Sequence, residues 1–148
     1  MNRILKVSSL CLVFELCFAV FVSAAKPPIT AVAFAPDGKS VVAVSQSGLQ
    51  QFKWPGLQSQ RKIQTKSSNL HCVTFAPDGK FVAVGGGDPS ESGSVELFLW
   101  PSGKPLRQLS THDDSVRSIV WIDESKLFSA SIDRTIKLWE LVSSESNT

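Results

Sequence analysis

The sequence predicts an all-β fold built from one antiparallel unit that recurs along the chain. The string Ala-Pro-Asp-Gly-Lys occurs at positions 35–39 and again at positions 76–80. In both copies it follows a short apolar run that ends in Phe and precedes a second apolar run. Self-similarity at a period of this length is typical of repeat architectures in which each unit packs on its neighbours.

Each copy has the pattern strand, tight turn, strand. Pro presets φ for a turn, Asp favours the next position, and Gly takes the left-handed conformation that a bulged hairpin needs. A third, eroded copy covers residues 118–131, where Trp121 replaces Phe34 and Phe75. Each copy continues into an alternating segment, and fourth strands are predicted only in the first two copies, at 61–65 and 105–109. We therefore expect about eleven strands.

The second copy carries an insertion. The aromatics of the first and third strands stand at positions 34 and 52 in copy one and at 121 and 139 in copy three, so their separation is the same. In copy two they stand at 75 and 98, which is a longer separation. The extra residues fall between 85 and 93. Because insertions concentrate in loops, we predict an enlarged loop there.

The third copy contains Asp133-Arg-Thr-Ile-Lys-Leu-Trp139-Glu140, preceded by His112 and by residues 116–121. These residues resemble the closing and opening signatures of a WD-repeat. The resemblance covers residues 29–141 and implies an incomplete WD-repeat β-propeller of about three antiparallel blades, 26–65, 66–109 and 110–142. The last blade is expected to lack its fourth strand, and residues 143–148 to form a disordered tail.

The resemblance also implies a hydrogen-bonded structural tetrad of His112, Ser129, Asp133 and Trp139 in the third blade. The same residue types suggest a Ser-His-Asp nucleophile. No nucleophile elbow accompanies them, so we favour the structural interpretation and expect no enzyme. Copies one and two carry other residues at the tetrad positions and are predicted to lack it.

In the family that the chain resembles, the loops between second and third strands and those between successive blades emerge on one face. Here these are residues 46–48, 66–69, 85–94, 110–114 and 132–134. The candidate partner-binding loop consists of Gly85, Gly86, Gly87, Asp88, Pro89, Ser90 and Glu91. Trp54 and Trp100, each followed by Pro, are read as exposed aromatics that either pack between blades or form a docking patch on the opposite face.

The N-terminal segment 1–25 has the layout of a secretory signal. Arg3 and Lys6 flank an apolar stretch from 7 to 22, and small residues at 22–25 suit an export peptidase. Glu15 interrupts the apolar stretch. The expected location is therefore periplasmic or extracellular; the alternatives are an uncleaved membrane anchor or neither.

Composition excludes several classes of function. Beyond position 25, 13 Lys and Arg side chains face 12 Asp and Glu, so no electrostatic feature favours nucleic acid or an anionic membrane. Cys72 is the only cysteine there, which excludes an internal disulfide in that part. No ligand spacing for a metal and no phosphate or haem motif occurs, and we expect no cofactor.

Together these observations predict an exported, non-catalytic interaction module or scaffold that binds a protein partner through its loop face. A second hypothesis is a truncated or remnant propeller without independent activity. A third, an enzyme such as a hydrolase, has no converging set of titratable residues beyond the tetrad. Open blade edges also suggest self-association, and a membrane partner is expected only if the N-terminal segment stays uncleaved.

Overall fold

The computed structural model describes residues 25–141, in which every regular element is a β-strand. The eleven strands form three antiparallel sheets, ordered β1-β2-β3-β4, β5-β6-β7-β8 and β11-β10-β9. Their bounds are β1 Ile29–Phe34, β2 Ser40–Ser45, β3 Gly48–Lys53, β4 Gln58–Ile63, β5 Leu70–Phe75, β6 Phe81–Asp88, β7 Ser92–Leu99, β8 Pro105–His112, β9 Val116–Trp121, β10 Lys126–Ser131 and β11 Ile136–Glu140. Each sheet is one blade, and the three blades follow one another in sequence order as part of a propeller.

The repeated string makes the turn between the first two strands of blades one and two. In blade one, Asp37 Oδ1 accepts the Lys39 N–H at 2.8 Å, and the Gly38 N–H donates to Ala35 O at 3.0 Å. Gly38 has φ 67°, a left-handed conformation that glycine adopts without steric cost. The second copy repeats this geometry at residues 76–80. The sequence signal for these turns is therefore local and reproducible.

The core lies between blades. We call the side of a blade that faces the preceding blade its leading face, and the side that faces the following blade its trailing face. One buried cluster joins the trailing face of blade one to the leading face of blade two, and includes Val42, Leu49, Leu70, Val82 and Phe98. A second joins blades two and three, and includes Ala83, Val95, Leu97, Ile119 and Leu127. Alternating side chains along each strand thus supply both interfaces.

The predicted enlarged loop at 85–94 is wrong, because most of it is strand. β6 and β7 pair without interruption from Phe81 and Leu99 to Asp88 and Ser92, so only residues 89–91 form the connecting turn. The inserted residues lengthen a hairpin instead of loosening a loop. The second sheet also extends to His112, so the predicted blade boundary between 109 and 110 falls within β8.

The fourth strand of blade one occupies Gln58–Ile63, a few residues before the predicted 61–65. In the described residues the third sheet has three strands, which leaves β11 at its edge. The expected signal segment at 1–25, except its last residue, and the expected tail at 143–148 lie outside the described residues. No helix long and apolar enough to cross a membrane occurs within residues 25–141.

Candidate functional site

The connections at one end of the strands lie on one surface, and hydrogen bonds join those from residue 69 onward. We call this surface the loop face and define it by residues 46–48, 66–69, 89–91, 113–114 and 132–134. The Asn69 side-chain amide donates to the Asp88 carboxylate. The Ser90 N–H donates to Asp114 Oδ1 at 3.1 Å, and the Asp113 N–H donates to Asp133 Oδ2 at 3.2 Å. The hairpin of blade two therefore bridges the two inter-blade connections on either side of it.

The three glycines of the candidate partner-binding loop lie in β6 and are buried. A Cβ on Gly86 would sit 2.6 Å from Asn69 O and 2.8 Å from Leu70 Cα, and one on Gly85 would sit 2.7 Å from Cys72 Sγ. All three separations are shorter than real Cβ contacts allow. Gly85 and Gly86 are thus required for close packing of the hairpin against its surroundings, whereas a Cβ on Gly87 would meet Ser92 O across the hairpin itself.

The accessible part of the candidate loop is the hairpin tip. Pro89, Ser90 and Glu91 are exposed, and Asp88 is half-buried. Ser90 adopts a φ of 62°, and the Glu91 N–H donates to Asp88 O at 3.3 Å, which closes the turn. Because the strands behind the tip are fully paired, the tip is presented on a rigid support.

A polar pocket of about 250 Å³ lies on the loop face beside the hairpin. Its walls come from the connection between blades one and two and from the hairpin strands. Ser67 Oγ and Ser94 Oγ are 2.6 Å apart, and Gln108 Nε2 donates to Ser94 Oγ at 3.4 Å. The lining residues are Lys66, Ser67, Ser68, Gly87, Asp88, Ser92, Gly93, Ser94 and Gln108. The pocket offers hydrogen-bonding groups and one charge of each sign.

Glu96 fixes one wall of that pocket, and the sequence reasoning missed it. Its carboxylate accepts the Lys66 N–H at 2.9 Å and the Ser67 N–H at 2.7 Å, although the side chain is buried. Buried carboxylates need such partners. In the sequence Glu96 is one polar residue in an alternating segment, and the two amides that it binds lie far earlier in the chain. No local pattern identifies them.

The structure brings the four predicted tetrad residues together at the boundary of blades two and three. His112 Nδ1 lies 2.8 Å from Asp133 Oδ2, and His112 Nε2 lies 2.7 Å from Ser129 Oγ. The Trp139 indole N–H donates to the same Ser129 Oγ at 2.8 Å. Because a carboxylate only accepts, His112 Nδ1 carries a proton and donates it to Asp133; in the tautomer with its proton on Nδ1 alone, Nε2 accepts the Ser129 O–H. Hydrogen bonds then link the four side chains in the order Asp133, His112, Ser129 and Trp139.

Asp133 anchors the tetrad. Its burial by itself would raise the pKa of the carboxyl, but hydrogen bonds from the side chains of Thr135 and His112 and from the Thr135 and Asp113 N–H groups hold that pKa well below its usual range. Asp133 is therefore ionised at neutral pH. At the other end, Ser129 is fully buried and its oxygen already accepts the indole N–H, so no substrate carbonyl reaches it. This arrangement is a structural lock between strands.

Blade one has a different polar connection, which the sequence did not predict. Gln51 Nε2 donates to Ser40 Oγ at 2.9 Å, and Arg61 Nε donates to Gln51 Oε1 at 2.7 Å. The guanidinium then donates to Ser102 O at 2.6 Å and to Pro101 O in blade two. The planar fork of Arg61 suits two adjacent carbonyls. It thus ties blade one to the turn after β7.

The two Trp-Pro positions differ from each other. Trp100 is only 8% exposed and packs edge-on against Phe75 at 5.0 Å, with Arg61 over its ring at 5.9 Å. Reading it as exposed was wrong, because blade one covers it, and the alternative that it packs between blades is confirmed for Trp100. Trp54 is 45% exposed and stands edge-on to Phe34 at 5.5 Å. It belongs to the blade that has no preceding neighbour in the described residues.

Two other side chains of reactive types, Cys72 and His71, lie in the described part of the chain. Burial raises the pKa of the Cys72 thiol to about 12, which outweighs the smaller opposing effects of the Gly85 hydrogen bond and Arg117 and disfavours the thiolate; the side chain packs against the second core cluster. His71 Nδ1 lies 3.3 Å from Arg117 Nη1, and burial lowers the pKa of this imidazole, with Arg117 adding to the effect. Within residues 25–141, no group of three His, Cys, Asp or Glu side chains is placed to hold a metal ion.

Comparison with known proteins identifies the repeat. The family described as "WD domain, G-beta repeat" matches residues 57–98 and 103–140, which is more than half of the chain. Two solved structures, of U3-55K and of the RRP9 WD40 repeats, superpose with TM-scores of 0.67 and 0.68 at 22% and 21% identity. Each comparison covers 78% of this chain, and 37% and 36% of the solved chains. These structures establish the propeller fold.

Similar curated proteins come from several eukaryotes. The chain is 29% identical over 122 residues to the UBP9-binding protein bun62 of Schizosaccharomyces pombe, covering 78% of this chain and 22% of that protein. It is 30% identical over 123 residues to actin-interacting protein 1 of Caenorhabditis elegans, covering 76% and 19%. It is 39% identical over 85 residues to the ribosome biogenesis protein WDR12 homolog of Culex quinquefasciatus, covering 56% and 19%. The chain thus spans about a fifth of the length of these relatives, and by its matched repeats and its blade geometry it belongs to the WD-repeat family.

Proposed function

We propose that this WD-repeat protein is an exported, non-catalytic interaction module that binds a protein partner through its loop face. The observation that carries the proposal is the hairpin of blade two, whose exposed tip at 89–91 stands on fully paired strands beside the polar pocket. A rigid support lowers the entropy that binding costs. The tip and pocket therefore suit a polypeptide segment that offers backbone and polar side-chain groups.

The pocket chemistry favours a protein over a nucleic acid. Its charged lining residues are Lys66 and Asp88, one of each sign. The net charge of the chain beyond position 25 is close to zero. Its composition therefore does not provide the excess of basic side chains that binding to phosphate backbones requires. Two of the similar proteins are themselves named for binding UBP9 and for interacting with actin. Those names support a role in protein binding, and the experiment below identifies the partner of this chain.

The non-catalytic part of the proposal rests on the tetrad. A hydrolase triad uses the residue types of Ser129, His112 and Asp133. Here, however, Ser129 is buried and accepts a hydrogen bond from Trp139. A nucleophile must approach a substrate carbonyl that also contacts oxyanion donors. In the tetrad, Ser129 is neither accessible to a substrate nor close to such donors. We therefore propose that the tetrad stabilises the fold.

Export is proposed from the sequence of the N-terminal segment 1–25. Cell fractionation with N-terminal sequencing tests it: a mature chain that starts at Ala25 or Lys26 outside the cytosol is expected. A membrane-bound chain that retains Met1 would indicate the anchored alternative. A chain in the cytosol that retains Met1 would contradict both versions.

The binding proposal is tested by a matched pair of charge reversals. Glu91 lies at the hairpin tip, and Glu124 lies in the turn between β9 and β10 at the opposite end of the strands, and both are exposed. The full chain is tagged at its C-terminus, recovered from cells, and its co-purifying proteins are identified and rebound in purified form. We expect Glu91→Arg to weaken binding of the partner roughly tenfold or more, as for substitutions in interface centres. Glu124→Arg should leave binding unchanged.

The outcomes separate the alternatives. Equal binding by Glu91→Arg and wild type would show that the loop face does not make the contact. Recovery of RNA in place of protein would contradict the partner class. A folded chain that binds nothing in its own cells would favour the remnant propeller without independent activity.

A further inference from the structure

Within residues 25–141, the trailing face of blade three is an uncovered apolar surface. Val120, Phe128, Ile136 and Leu138 are exposed by 58, 40, 72 and 56%. Register places Val120, Phe128 and Leu138 side by side across β9, β10 and β11. A shallow groove of about 530 Å³ runs over this face, lined by Ser118, Val120, Phe128, Ala130 and Ile136. Clustered apolar exposure of this kind marks interaction surfaces.

The leading face of blade one is a second apolar surface that no described residue covers, at the other end of the arc. Val32 and Phe34 are exposed by 63 and 51%. Phe34 stacks edge-on with Trp54, which is itself 45% exposed. Val41 lies opposite Phe34 on β2, and Phe52 lies opposite Val41 on β3, so the apolar strip continues across three strands.

The internal repeat shows what each of these faces is built to contact. Val32 and Phe34 occupy the positions of Val73 and Phe75 in blade two, which pack into the first core cluster against blade one. A leading face with this pattern therefore fits a trailing face.

The trailing face of blade three also has its counterpart in blade two. Ile136 and Leu138 occupy the positions of Val95 and Leu97 in blade two, which are both fully buried against blade three. Its trailing face therefore has the pattern that receives a leading face. The two uncovered ends of one chain are complementary halves of the interface that the chain already forms twice internally.

We propose that the trailing face of blade three docks on the leading face of blade one of a second copy of this chain, and that two such contacts join two chains into one ring of six blades. A contact between unlike faces closes into a ring when its rotation permits. Propellers close with about four to eight blades, and two copies of three blades fall in that range. This contact is independent of partner binding by the loop face.

The test uses the full chain as recovered from cells and measures its mass by sedimentation velocity over a range of concentrations. Ile136→Asp places a charge on the trailing face, and Val32→Asp places one on the leading face. Leu106→Asp is the matched control, because Leu106 is 48% exposed on the outer strand of blade two. Circular dichroism checks that each variant keeps its β structure, which is expected because all three side chains are exposed.

Wild type and Leu106→Asp should be dimers. Each end-face variant should raise the dimer dissociation constant on the order of a hundredfold or more, because a charge is costly at an apolar contact. An equimolar mixture of Ile136→Asp and Val32→Asp should recover dimer, since one of its two contacts then joins two unaltered faces. This recovery distinguishes contacts between unlike faces from contacts between like faces.

Three results would overturn the proposal. A monomeric wild type would mean that a second copy does not cover these faces. A dimer that survives Val32→Asp would mean that the leading face is not used. Assemblies that grow beyond two copies would mean that the ring does not close.

Discussion

Ser129 Oγ lies 2.7 Å from His112 Nε2 and 2.8 Å from Trp139 Nε1, so one buried hydroxyl links the end of β8 to β10 and β11. His112 belongs to the sheet of blade two, whereas Ser129 and Trp139 belong to blade three. The lock therefore acts between blades as well as within one. It holds the connection at 113–115 in place, and with it part of the loop face.

Ser129→Ala should destabilise the protein without any hydrolytic consequence. The change leaves His112 and Trp139 without a shared partner in a buried site, and we expect a loss of about 1–3 kcal/mol in the free energy of unfolding. Chemical denaturation measures it. Ser68→Ala is the control, because Ser68 is exposed and its side chain makes no hydrogen bond within residues 25–141. An equal, small effect of both substitutions would contradict the lock.

Asp133 should make stability depend on pH on the acid side. Its folded pKa is depressed, so its contribution is fully present above its unfolded pKa of about 3.9 and is lost as the pH falls toward the folded pKa. Denaturation midpoints between pH 7 and pH 2.5 should therefore fall less steeply below about pH 4 in Asp133→Asn than in wild type. Parallel curves for the two proteins would show that Asp133 is not the group responsible.

Glu96 should control the order of the connection between blades one and two. Glu96→Ala removes the acceptor of the Lys66 and Ser67 N–H groups, and we expect a loss of about 1.5–3 kcal/mol, the range for hydrogen bonds to charged groups. Hydrogen exchange at these two amides should speed up. Glu96→Gln retains one acceptor oxygen and should fall between wild type and Glu96→Ala. Unchanged exchange at both amides in the Ala variant would refute this role.

The glycines of β6 should be intolerant of a methyl group. Gly86→Ala brings a Cβ to 2.6 Å from Asn69 O, a backbone atom that cannot move without shifting the inter-blade connection. We expect about 1–3 kcal/mol of destabilisation from this overpacking. Gly56→Ala is the matched control, since its nearest neighbour would be a side-chain carbon at 3.9 Å. If thermal unfolding shows the same midpoint for both variants, the close approach at Gly86 is not a constraint.

The blade framework could be predicted because its signals are local. The Pro-Asp-Gly turns carry their own geometry: Gly38 adopts the expected left-handed conformation, and Asp37 accepts a hydrogen bond from the Lys39 N–H within the turn. Aromatic spacing then located the third copy. The tetrad residues were identified from the family pattern, which encodes a long-range contact that spacing alone does not reveal.

The predictions from sequence were wrong or incomplete where the environment of a residue depends on segments that are distant in the sequence. Three consecutive glycines indicate a flexible loop locally, but Gly86 is required by the approach of Asn69. Arg61 lies in a predicted strand, and its carbonyl partners follow in the next blade. The local sequence around Trp100 does not indicate its burial, because the side chains that cover it belong to blade one, which lies earlier in the sequence. Each of these contacts depends on how blades one and two meet, which the local pattern does not specify.

The most direct test of loop-face binding places a photo-crosslinking amino acid at position 90, at the hairpin tip, and in a second version at position 124 on the opposite face. Both full chains are expressed in the cells that normally make the protein and are irradiated there. We expect a discrete adduct with another protein from position 90, and none of that mass from position 124. An adduct formed only from position 124, or equally from both positions, would contradict binding through the loop face.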